Sequence, residues 1–131
     1  MKNTILFLFL LITSKTWSQS YEDLTKKNSR VFVEVNDERY KGLVTNYLNK
    51  SGYYNVSANV KESDFTIKCF FIDARNNYIG YATLLNSKSG DEISRTKNFY
   101  VNYKVPEYIV KMVINDGVLL PMKKRDKNNQ K

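Results

Sequence analysis

Histidine is absent from this chain of 131 residues, and cysteine occurs once, as Cys69. The missing histidine removes Ser-His-Asp and Cys-His catalysis together with the commonest zinc ligand. A single cysteine leaves no internal disulfide and no structural zinc set. The five glycines are isolated (Gly42, Gly52, Gly80, Gly90 and Gly117), so no glycine-rich loop is present to cradle a phosphate. The unbroken apolar run Ile5 to Ile12 is short as well. A membrane-spanning helix needs roughly 20 apolar residues.

That short run has a different meaning at the start of a chain. Lys2 precedes it, and the small residues Ser14, Thr16, Ser18 and Ser20 follow. This is the layout of a secretory signal peptide, expected to be cut after Ser18, and an uncleaved anchor is the competing reading. With no cysteine near the cut, a lipoprotein anchor is not expected. The segment ending TWSQS resembles signal peptides of Bacteroidota-type bacteria. The expected localisation is exported, periplasmic or secreted.

Charge divides unevenly. The chain carries 21 Lys+Arg against 13 Asp+Glu, a formal +8. Lys2 and Lys15 leave with the signal, and KKRDKNNQK at the end holds five cations and one acid. Little basic excess remains for the folded part. Lys123, Lys124, Arg125 and Lys127 are therefore expected on a solvated, disordered basic tail, residues 121–131, with an anionic envelope surface as the contact it would suit. Nucleic acid is not expected as a partner.

Residues 19–29 read as a polar leader with one helical turn, and residues 30–120 as one domain. Val31, Val33 and Val35 alternate with Phe32 and Glu34, a strand. Asn36 or Asp37 then caps a helix carrying the stripe Tyr40, Leu43, Val44, Tyr47 and Leu48, ended by Gly52. A second strand runs from Tyr54 to Val60. Phe65 to Ile72 and Tyr78 to Leu85 are the next strands, turned at Ala74-Arg75-Asn76-Asn77. Ile93 to Val101 is the last strand, and there Arg95 and Lys97 share a face with Ile93, Phe99 and Val101. A bulge or an edge position would resolve that conflict, and the edge is the expectation. Pro106 opens a second helix, which Asn115-Asp116-Gly117 is expected to stop.

The order β-α-β-β-β-β-α predicts an α+β two-layer sandwich: a mostly antiparallel sheet of about five strands with two helices on one face. This layout, and the stretch ESDFTIKCFFID…YIGYATLLNSKSGDEISRTK, resembles small periplasmic α+β domains of cell-envelope proteins.

The chemistry left to the chain is thin. Ser94-Arg95-Thr96-Lys97 has the letters of an acyltransferase S-x-x-K, but that motif needs a helix and here falls on a strand. Glu34, Asp37, Glu38, Asp64 and Asp73 are the carboxylates a small glycoside hydrolase would draw on, Glu34 foremost. Asp73-Ala74-Arg75-Asn76-Asn77 is too short for a calcium loop and has a cation in its middle. No catalytic, metal or cofactor site is expected.

What is plentiful is aromatic: ten Tyr and seven Phe. Tyr53, Tyr78 or Tyr81, and Tyr100 are expected on the open sheet face or at strand ends. Lys68, Arg75, Tyr81, Arg95, Lys97 and Tyr100 form the candidate binding surface, for a protein, peptide or glycan. The leading expectation is a non-enzymatic exported interaction module. The alternatives are the carboxylate hydrolase and an envelope-surface adaptor held by the basic tail.

Overall fold

The computed structural model describes residues 21–102 and 105–129. The expected signal peptide and its expected cleavage point lie outside the described residues. The fold is α+β: a mixed six-stranded sheet with its helices on one face.

A single helical turn, α1 (Tyr21–Leu24), buries Leu24 and leads into β1 (Arg30–Val35). Val31 and Val33 turn inward from β1. Asn36 then extends the ladder with its side chain. Its Nδ2 donates to Phe71 O at 2.9 Å, and its Oδ1 accepts from Phe71 N at 2.8 Å. Asp37 is the cap of helix α2 (Glu38–Ser51), accepting from Arg39 N at 3.0 Å. Gly52 ends α2 at φ 67°, a conformation that costs a glycine nothing. Tyr40, Val44 and Leu48 are the buried stripe, one turn apart.

The second strand is shorter than its alternation suggests. β2 covers only Asn55–Ser57 and pairs parallel with β1. The side chains of Ser57 and Asn59 bond to local backbone and start a 3₁₀ turn at Val60–Glu62, which draws the chain off the ladder. β3 (Phe65–Ala74) pairs parallel with β1 and antiparallel with β4 (Asn77–Asn86). Arg75, not one of the neighbouring asparagines, takes the positive φ of 46° in their turn.

The expected last strand is two strands, β5 (Glu92–Arg95) and β6 (Phe99–Val101), both on β4. Between them Thr96 stands in for the ladder: its Oγ1 accepts from Ala82 N at 3.0 Å. The register also slips between Leu84 and Leu85, so the parity conflict is resolved by a bulge as well as by the edge position of β5.

Helix α3 (Pro106–Lys111) does not stop at Asn115-Asp116-Gly117. It widens into a π-helical stretch, Met112–Leu119, and tightens again as α4 (Leu120–Asn129). Gly117 is not among the positive-φ glycines and so ends nothing. It provides space: a Cβ there would lie 2.9 Å from Thr96 Cγ2 and 3.1 Å from the Phe99 ring. Pro121, which has no N–H to donate, falls where the π-helical stretch passes into α4.

The disordered tail is thereby corrected. Residues 121–129 are helical, Met122 packs on the core, and Arg125 and Asp126 bond to the N-terminal segment. Among the described residues no helix is long and apolar enough to cross a membrane.

Candidate functional site

Strand alternation divides the sheet into two faces. Val31, Val33, Phe65, Ile67, Cys69, Phe71, Ala82, Leu84, Phe99 and Val101 face the helices and join Val44, Leu48, Ile109 and Val113 in one core. Tyr40 of α2 stacks on Phe71 with ring centroids 4.5 Å apart. Cys69 is a free, buried thiol, pushed up to about 12 by that burial.

Among the described residues no helix covers the opposite face. Its side chains fall into rows set by register. Glu34, Lys68, Thr83 and Arg95 stand side by side on β1, β3, β4 and β5. In the next row Phe70 faces Tyr81, and beyond that come Ile72, Ile79 and Tyr100. Phe70 and Tyr81 stack at 5.5 Å, and the Arg95 guanidinium lies 4.1 Å from the Tyr81 ring centroid. Lys68, Phe70, Tyr81, Thr83, Leu85 and Arg95 are among the residues lining a shallow cleft of about 350 Å³. Among the described residues no carboxylate lines it, and neither Lys68 nor Arg95 forms an ion pair. A guanidinium lying on an aromatic ring keeps its N–H fork free for an anion.

Of the expected surface, Lys68, Tyr81 and Arg95 come together. Tyr100 shares their face, one row away from Tyr81, and is 60% exposed. Arg75 stands at the tip of the β3–β4 turn. Lys97 reaches toward the ring of Phe99, a core residue, at 5.3 Å. Tyr53 is not on the open face: it is 8% exposed and covered by α4. Phe70 went unnamed as a surface residue because it lies inside the most apolar strand. Its signal was parity with Lys68.

Asp37 and Asp73 both lie close to Arg39 and Tyr40, whereas Glu34 and Asp64 sit elsewhere. Glu34 is on the open face opposite Lys68. Asp37 caps α2 and pairs with Arg39 at 2.7 Å; that hydrogen-bonded guanidinium holds its carboxyl below the usual range. Glu38 opens α2. Asp64 accepts from Arg30 N at 2.8 Å, and Asp73 faces Tyr78 at the end of β3. Among the described residues no group of three or more acidic or thiol side chains is placed to hold a metal.

A second cluster lies at the foot of the molecule. Arg125 Nη1 donates to Thr25 Oγ1 at 2.8 Å, and Nη2 pairs with Asp126 at 3.1 Å. Asp126 also accepts from Lys27 N at 3.2 Å and from the Tyr53 hydroxyl. Tyr54 OH donates to Thr25 O at 2.5 Å. Burial first, then the Asp126 hydrogen bond, push Tyr53 up to about 12; burial raises Tyr54 as well. Arg125 is thus a tie within the fold rather than a free cation of the tail.

No family model and no curated protein matches the chain in sequence. Its fold is similar to protein XCC0632 from Xanthomonas campestris, with a TM-score of 0.52 at 11% identity over 79% of this chain and 90% of that one. It is also similar to TolB from Acinetobacter baumannii, with a TM-score of 0.51 at 11% identity over 66% of this chain. The chain spans 27% of that TolB. Lipoprotein GNA1162 from Neisseria meningitidis matches with a TM-score of 0.41 at 15% identity, over 78% of this chain and 95% of that one. At such identities the likeness is one of fold, a small α+β domain.

Proposed function

We propose that this chain is an exported, non-enzymatic interaction module of the cell envelope or periplasm, and that it engages a partner protein through its open sheet face. One observation carries the reading. Among the described residues the helices cover a single face of the sheet, and the other presents Phe70 stacked on Tyr81 between two cations that form no ion pair. Aromatic rings and arginine are the side chains that most often anchor an interface, and their apolar area is not compensated within the fold. The apolar run Ile5 to Ile12 with its flanks supports export. The two unpaired cations favour an acidic group on the partner, set among apolar side chains that meet Phe70, Ile72 and Tyr100.

The test is a photo-crosslinker placed at Thr83, in the cleft, and at Lys41, on the exposed side of α2, with cells irradiated intact. A discrete adduct at position 83 that is missing at 41, and that disappears with Tyr81→Ala plus Arg95→Glu in a chain still folded by circular dichroism, is the expected result. Equal adducts at both positions, or an adduct indifferent to those substitutions, would end the reading.

A further inference from the structure

The lysines of the C-terminal helix are held in one orientation. On an α-helix each residue advances about 100°. Lys124 and Lys127 fall in one sector of α4, with Lys123 on its flank, its ammonium 5.6 Å from the Tyr53 ring centroid, and Arg125 and Asp126 point to the other side. Those two are fastened to Thr25, Lys27 and Tyr53, so the lysine sector is turned outward. Lys26 and Lys27 are exposed beside it, Lys27 through its own backbone bond to Asp126. Five lysines thus lie around this corner, against Glu22 and Asp23 on α1, Asp64 in the cleft that Lys26 and Lys27 line, and the engaged Asp126. The chain enters the described structure at this corner, at Tyr21, a short way after the apolar run Ile5 to Ile12.

We infer that this corner is a docking surface for an anionic phospholipid bilayer, with α4 presented to the headgroups by the Arg125–Asp126 latch. Lysines within a Debye length of an anionic membrane add their attractions, and a fixed arrangement lets them act at once. Docking there leaves the open sheet face, built on other elements, free for a partner. The inference is independent of what that face binds.

The test is co-sedimentation of the exported chain with vesicles of equimolar phosphatidylglycerol and phosphatidylcholine, against phosphatidylcholine alone. Preference for the anionic vesicles by about tenfold or more is expected, with release as salt shortens the screening length. Replacing Lys123, Lys124 and Lys127 by Glu should abolish it. Two latch variants separate presentation from mere charge. Asp126→Asn removes one negative charge, and Tyr53→Phe leaves the charge unchanged; both should bind more weakly than the parent. Equal binding to neutral vesicles, latch variants that bind as tightly or more tightly, or capture by soluble polyphosphate without vesicle binding would each overturn the inference.

Discussion

Tyr53, just past the end of α2, donates its phenolic hydrogen to Asp126 on α4, 73 positions further along the chain. Asp126 also accepts from the backbone of Lys27, so one carboxylate joins the leader, the α2–β2 connection and the last helix. Tyr53→Phe leaves this partly exposed acceptor one donor short and should cost about 1 kcal/mol. Asp126→Ala strands the Lys27 amide, the Tyr53 hydroxyl and Arg125 together and should cost about 2 kcal/mol or more. Urea unfolding of the two variants checks the order.

The same phenol predicts an alkaline limit. Burial and then the Asp126 hydrogen bond push Tyr53 up to about 12 in the fold, against an ordinary 10.0. A raised value means that the folded state holds the proton more tightly than the unfolded chain. Its contribution is therefore complete below about pH 10 and is lost as pH rises toward about 12. Tyr54, also raised, acts in the same direction. Unfolding midpoints should fall across that window, and less steeply in Tyr53→Phe.

Gly80 lies where the sheet packs against the π-helical stretch Met112–Leu119. A Cβ there would sit 2.8 Å from Phe71 Cδ1 and 3.0 Å from Val113 Cγ2. Phe71 cannot yield freely, since its ring is stacked on Tyr40. Gly80→Ala should lose about 1–3 kcal/mol, the ordinary cost of overpacking. Denaturant titration measures it.

Cys69 should be silent toward thiol reagents until the chain opens. The thiol is buried and held protonated, with a value of about 12. Labelling by Ellman's reagent in increasing urea should track the loss of helical circular dichroism. Fast labelling of the folded chain would contradict the core described above.

Helix α2 was legible because its signals were local: a cap at Asp37, a stripe at Tyr40, Val44 and Leu48, and a glycine stop at Gly52. The β3–β4 hairpin was legible for the same reason, by alternation and length. Asn115-Asp116-Gly117 misled because a glycine that ends a helix and one that makes room for Thr96 and Phe99 read alike in one dimension. The tail misled because its composition is that of a solvated segment, and its order depends on Thr25 and Tyr53, far away in the chain. On the open face, Lys68, Tyr81 and Arg95 could be named one by one. Their assembly around Phe70 waited on the register of β3, β4 and β5. Lys97 missed the group because the strand breaks at Thr96 and starts again.

The wide turns of Met112–Leu119 also set an angular phase. A π-helical turn takes up more residues than an α-helical one, so the stretch fixes the angle at which α4 leaves it. Were the same eight residues wound as α-helix, everything beyond them would be turned by roughly 100°. Arg125 and Asp126 would swing off Thr25 and Tyr53, and the lysine sector would rotate with them. The winding between α3 and α4 thus works as a vernier: residues per turn in one stretch are read out as the azimuth of a charged surface at the other end.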